Sequence, residues 1–120
     1  MIKKIFVPYY FKKTDDYQLV EFMDWQNLEK GPYGILQPRG LDTIDPQKID
    51  LAIVPGVVFS TDGVRLGYGK GVYDRLLKES GAIEIGLAYE FQIVNKLPKE
   101  KHDLLMDFVI TEKKIRRIKS

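Results

Sequence analysis

Asp50-Leu51-Ala52-Ile53-Val54-Pro55-Gly56-Val57-Val58-Phe59-Ser60-Thr61-Asp62-Gly63-Val64-Arg65-Leu66-Gly67-Tyr68-Gly69-Lys70-Gly71-Val72-Tyr73-Asp74-Arg75 is the stretch that decides the fold. It opens on an apolar run without alternation, which reads as a strand covered on both faces and hence as the central strand of a parallel sheet. A glycine-rich segment follows as far as Gly71, then a helix from about Val72 to Lys78 that stops near Gly81, then a second buried strand, Ile83 to Ala88. Such a strand-loop-helix-strand unit puts the loop after Pro55 at the carboxyl edge of the sheet, where open sheets bind ligands. The expected fold is α/β, a three-layer α/β/α Rossmann-like domain with a mainly parallel sheet.

On the amino-terminal side, Ile2 to Tyr10 and Tyr17 to Met23 are β-branched and aromatic, and the polar turn Lys12-Lys13-Thr14-Asp15-Asp16 separates them. They read as a hairpin or a sheet edge. Asn27 to Pro46 carries too many glycines and prolines for a long element and reads as loop, with Gly34-Ile35-Leu36 briefly extended. On the other side, Phe91 to Leu97 fits no single element and Asp107 to Thr111 reads as a strand. The tail from Lys113 to Lys119 reads as a solvated edge strand or a short helix. Without a repeat, a low-complexity tract or a second boundary, residues 1–120 read as one domain.

Nineteen Lys and Arg stand against seventeen Asp and Glu, a net charge of +2 that is far from the basic excess of a dedicated nucleic-acid binder. A nucleic-acid contact through the basic tail ranks last among the readings. No cysteine is present and His102 is the single histidine, which excludes disulfides, a thiolate metal site and an all-histidine zinc cluster. Any metal is expected to be a hard cation on oxygen. Proline stops the apolar run at the amino terminus at once, unlike a secretory signal, and no stretch approaches the roughly 18 apolar residues of a membrane span. A cytoplasmic protein with no membrane partner is the expectation.

Glycines at 67, 69 and 71 permit positive φ angles and close approach to a ligand just before a helix whose first N–H groups are unpaired. Arg65 is placed to grip phosphate oxygens two-pronged, and Lys70 is a mobile point charge able to follow a transferring phosphoryl group. Asp74, one helical turn beyond Lys70, can hold magnesium on those phosphates. The spacing is neither a Walker A loop nor a clean dinucleotide fingerprint. A glycine-rich turn that merely lets the helix pack close to the sheet therefore stands as the alternative.

The run from Asp50 to Leu77, with Pro55-Gly56, then Arg65-Leu66-Gly67-Tyr68-Gly69-Lys70-Gly71, then Tyr73-Asp74-Arg75, resembles the signature of 5-formyltetrahydrofolate cyclo-ligases. The resemblance continues in order through Gly86-Leu87-Ala88-Tyr89, Gln92, Leu97-Pro98, His102-Asp103 and Asp107 to Ile110-Thr111-Glu112. It implies an enzyme that uses ATP and magnesium to close a reduced folate, 5-formyltetrahydrofolate, into 5,10-methenyltetrahydrofolate with release of ADP and phosphate. Carried over, Arg65 and the loop Gly67, Tyr68, Gly69, Lys70, Gly71, Val72 and Tyr73 hold ATP, with Arg65 and Lys70 as the catalytic cations. Asp74 and Asp107 ligate magnesium, and Tyr33, Phe59 and Tyr68 face the folate. Core packing is the competing reading for these three aromatics, and an ordinary turn carboxylate for Asp107. Trp25 is assigned to packing and His102 to capping or bridging a loop.

Three departures from the family pattern stand out. The family's helical amino-terminal segment has no counterpart in Met1 to Asp24, Val72 replaces a usual aromatic, and Ser60 replaces a common aspartate. Two hypotheses follow from the first departure. One is an active cyclo-ligase, assembled if necessary as a homo-oligomer whose neighbouring chain helps close the site. The other is a shortened, non-catalytic nucleotide- and folate-binding module.

Overall fold

The computed structural model describes residues 4–22, 26, 28–38, 43–67, 71–98 and 104–118. Contacts gather in two units, Met1–Pro46 and Gln47–Ser120.

In the first unit, β1 (Ile5–Phe11) and β2 (Asp16–Phe22) form an antiparallel hairpin, with Ile5 opposite Phe22 and Phe11 opposite Asp16. Its turn needs a left-handed residue, and Asp15 supplies one at φ 52°, a conformation that short polar side chains tolerate. The Tyr10 hydroxyl donates to the Asp15 carboxylate and holds that turn. A second hairpin, β3 (Leu28–Lys30) with β4 (Leu36–Pro38), closes around a 3-10 turn at Pro32–Gly34. Residues expected to be loop thus pair, because strands of three residues leave no periodicity to read. Buried Gln37 accepts from the Tyr10 N–H at 3.2 Å, and the Tyr9 hydroxyl donates to Glu29 at 2.8 Å, so the two hairpins are tied by polar contacts.

The second unit is built on β5 (Leu51–Val54). β6 (Val58–Ser60) and β7 (Arg65–Leu66) follow, then α1 (Val72–Leu77), β8 (Ile83–Leu87), β9 (Ile93–Val94), β10 (Phe108–Ile110) and β11 (Ile115–Arg117). The main sheet has the order β11-β10-β8-β5, parallel except for the antiparallel β11. It is therefore mixed, and the tail forms an edge strand. β5 is the other edge strand, which corrects its reading as the central one. Its uninterrupted apolar run signalled burial on both faces, yet Leu51 and Ile53 are exposed while Val54 is buried.

A small sheet, β7-β6-β9, lies beside the main one. It turns through Asp62-Gly63, with Gly63 at φ 90°, and an Asp-Gly pair between apolar residues is a hairpin signal. The core gathers Val54, Phe59, Val64, Met106 and Val109, each at most 1% exposed. Alternation along the strands puts Val54, Glu84, Gly86 and Val109 on the covered face of the main sheet. The three-layer arrangement is not seen among the described residues, where only one face of that sheet is covered.

Candidate nucleotide site

Arg65 stands on β7 and is carried by the hairpin to the carboxyl end of β5. Its Nε donates to the Pro55 carbonyl, its Nη1 lies 3.8 Å from Asp74 Oδ1, and its Cζ sits 5.4 Å from the centroid of the Tyr73 ring. Two glycines make room for it. A Cβ on Gly67 would fall 2.7 Å from Arg65 Nη2, and one on Gly56 would fall 3.2 Å from Arg65 Cγ and 2.9 Å from the Phe59 ring. At Gly67 the close neighbour is the tip of the Arg65 side chain, and the backbone there has no positive φ. Gly71 does have φ 65° and caps α1, whose Arg75 N–H donates to the Gly71 carbonyl at 2.9 Å.

The arrangement is a desolvated guanidinium held at three points. The Arg65 side chain is only 10% exposed, stacks on a tyrosine and faces one carboxylate. Stacking of this kind is worth about 0.5–2 kcal/mol, more when water is excluded. Burial raises the Tyr73 phenol above its ordinary value and the nearby Arg65 charge opposes the shift, so Tyr73 is neutral at physiological pH. With only six residues, α1 carries a small dipole, so cationic side chains and not the helix terminus must supply the charge that holds an anion.

Beside this cluster, also at the carboxyl edge, is a cleft of about 440 Å³ lined by Leu87, Ala88, Tyr89, Gln92, Thr111 and Glu112. Gln92 buckles its rim. Its Nε2 donates to the carbonyls of Gly56 (3.2 Å) and Val57 (3.0 Å), and its Oε1 accepts from the Tyr89 N–H at 2.8 Å. Glu90 receives both arms of the Arg116 guanidinium at 2.9 and 2.6 Å and the Thr111 hydroxyl at 2.8 Å. These bonds, led by the one from Arg116, lower the Glu90 carboxyl to about 2.

Of the residues expected at the site, the structure brings together Arg65, Gly67, Gly71, Val72, Tyr73 and Asp74. Tyr68, Gly69 and Lys70 lie outside the described residues, as do Trp25, His102 and the side chain of Tyr33. Phe59 is corrected: it is 0% exposed, wedged against Gly56 and Gly86, and has no face for a folate. Asp107 is not brought to Asp74. Its carboxylate accepts from the Glu84 N–H at 2.7 Å, at the amino end of β10, whereas Arg65 is anchored beyond Val54, which pairs with Gly86. That is about three residues, or roughly 10 Å, along the strands. Gln92 and the Glu90–Arg116 pair were missed as structural parts of this edge, since no spacing in the chain links residue 56 to 92 or residue 90 to 116.

Residues 1–112 match the 5-formyltetrahydrofolate cyclo-ligase family. The probable 5-formyltetrahydrofolate cyclo-ligase of Caenorhabditis elegans is 33% identical over 126 residues, covering 93% of this chain and 61% of its own. The 5-formyltetrahydrofolate cyclo-ligase of Haemophilus influenzae is 31% identical over 115 residues, covering 90% of this chain and 62% of its own. Among solved structures, the 5,10-methenyltetrahydrofolate synthetase of Aquifex aeolicus superposes with a TM-score of 0.82 at 36% identity, over 98% of this chain and 60% of that one. The chain thus spans about 60% of the length of these relatives. With the match extending over nearly all of it, the chain belongs to the 5-formyltetrahydrofolate cyclo-ligase family.

Proposed function

We propose that this chain binds ATP at the Arg65 cluster and uses it to cyclise 5-formyltetrahydrofolate to 5,10-methenyltetrahydrofolate, releasing ADP and phosphate. The observation that carries the reading is the buried Arg65 guanidinium, held by Pro55, Tyr73 and Asp74 at the carboxyl edge of the sheet, in a chain of this family. A formyl amide oxygen is a poor leaving group. Its phosphorylation by ATP lets a neighbouring folate nitrogen attack the carbon and phosphate depart, so the protein's task is positioning and charge neutralisation.

Arg65 orients the phosphates, and Lys70 adds the mobile cation that follows the transferring group. Gly67 and Gly71 let the backbone run close to them, and Tyr68, Val72 and Tyr73 wall the nucleotide. Tyr33 and Tyr68 are the aromatic candidates for the folate ring. Magnesium fits the donor set: Asp74 is one hard carboxylate, no group of three or more acidic or histidine side chains exists among the described residues, and magnesium is usually held by one or two carboxylates plus substrate phosphates. When bound it neutralises developing phosphate charge. Asp107, occupied with the Glu84 backbone at the other strand end, is left out of this ligand set.

The second reading is a nucleotide- and folate-binding module of the same family without turnover. No helix among the described residues is long and apolar enough to cross a membrane. The test follows methenyltetrahydrofolate absorbance on mixing the protein with 5-formyltetrahydrofolate, ATP and magnesium. Product that disappears when magnesium is omitted and in Arg65→Ala supports the enzyme. No product, with thermal stabilisation by ATP, supports the module. Neither turnover nor stabilisation overturns both.

A further inference from the structure

The Arg65 cluster hangs on a carbonyl that belongs to no strand. Pro55 O, which accepts from Arg65 Nε, lies in the turn 55–57 between β5 and β6. A carbonyl outside a ladder points where its peptide plane is held, so whatever fixes this turn decides where the guanidinium stands. From the side of β7, the Val57 N–H donates to the Leu66 carbonyl at 2.7 Å. From the other side comes Gln92, whose Nε2 donates to the Gly56 carbonyl at 3.2 Å and the Val57 carbonyl at 3.0 Å, the two that follow Pro55.

Gln92 is itself held. Its Oε1 accepts from the Tyr89 N–H at 2.8 Å and its N–H donates to the Tyr89 carbonyl at 2.9 Å, which closes the 3-10 turn Glu90–Gln92. The first residue of that turn is fastened elsewhere along the sheet. Glu90 receives both arms of Arg116 and the Thr111 hydroxyl, and its N–H donates to Glu112 Oε1 at 2.8 Å. Arg116 is on β11, and Thr111 and Glu112 follow β10, whereas β5 ends the sheet on the far side of β8. The 3-10 turn therefore spans the carboxyl edge as a strut, from the end of β10 across β8 to the turn after β5.

We infer that Gln92 is a positioning residue for the nucleotide: it fixes the Gly56 and Val57 peptides and, through the Pro55 carbonyl, sets where the Arg65 guanidinium stands. This rests on the reading that Arg65 holds the ATP phosphates. Gly56 transmits the hold, since a Cβ there would fall 3.2 Å from Arg65 Cγ and 2.9 Å from the Phe59 ring, so turn and arginine stem move together. A carboxamide is the group this place demands, because one end must donate to two carbonyls while the other accepts from an N–H. Methionine keeps the volume and offers no donor. Glutamate keeps the accepting oxygen but sets a carboxylate against two carbonyl oxygens.

A double-mutant cycle on magnesium-ATP affinity, read by calorimetry on Gln92→Met, Arg65→Ala and the two combined, tests this in proteins that keep their far-UV circular dichroism. Gln92→Met is expected to weaken ATP about 3- to 10-fold in the wild-type background, the range of one ordinary hydrogen bond. In the Arg65→Ala background it should cost less than about 2-fold, because the group it places is already gone. The Arg65 Nε–H resonance, assigned by its disappearance in Arg65→Ala, should also move in a nitrogen-15 correlation spectrum of Gln92→Met. Equal losses in the two backgrounds, no loss in either, or an unmoved resonance overturns the inference and leaves the nucleotide reading standing. Arg65→Ala that binds ATP as tightly as wild type, or a wild type that binds none, overturns that reading and the inference with it. Should Gln92→Met lose its fold, Gln92→Glu takes its place in the cycle with the same expectations.

Discussion

Gly86 shows how one missing side chain shapes this protein. The Phe59 ring lies where a Cβ at 86 would be, 2.5 Å from Cε1, so Gly86→Ala must displace a fully buried aromatic. Overpacking of this kind costs about 1–3 kcal/mol, read as a lower midpoint in denaturant with an unchanged slope. At the proposed nucleotide site, Asp74→Asn should abolish the magnesium enhancement of ATP affinity while leaving affinity in chelator nearly unchanged. Arg65→Lys should not rescue Arg65→Ala, because an ammonium can make neither the Nε bond to Pro55 nor the stack on Tyr73. That Arg65, Tyr73 and Asp74 lie close together was legible, because their order around one glycine-rich turn carries it. The burial of Phe59 was not, since an aromatic reads alike whether it meets a ligand or a glycine across a sheet.

Among the elements, α1 and β8 lie within one residue of their expected bounds, and the β1–β2 hairpin is where it was expected although β1 begins at Ile5 and not Ile2. Short pairs escaped, β3 with β4 and β6 with β7, although Asp62-Gly63 offered a turn signal for the second. β5 was found but misplaced, because an unbroken apolar run looks the same at the centre of a sheet and at an edge left open. The 3-10 turn Glu90–Gln92 is clipped to β11 through Glu90 and Arg116. The Glu90 carboxyl is lowered from 4.5 to about 2 in the folded chain, so its contribution is present above about 4.5 and is lost as pH falls toward 2. Carboxyl-detected NMR titration should place its midpoint near 2, and Glu90→Gln should flatten the fall in thermal midpoint over that window.

At the scale of the whole molecule, residues 1–112 carry the family's pattern while the chain spans about 60% of its relatives' length. The α/β class and the carboxyl-edge position of the Arg65 loop followed from sequence. The placing of Leu51 beside Ile83 did not, since only the register of β5 against β8 sets them side by side. We propose that the Arg65 cluster holds the nucleotide, and the deciding experiment is calorimetric titration of magnesium-ATP into wild type and Arg65→Ala. Loss of a charge-assisted bond to phosphate, about 1.5–3 kcal/mol, predicts affinity weakened roughly 10- to 100-fold in a variant that remains folded; equal affinity in the two proteins would contradict it.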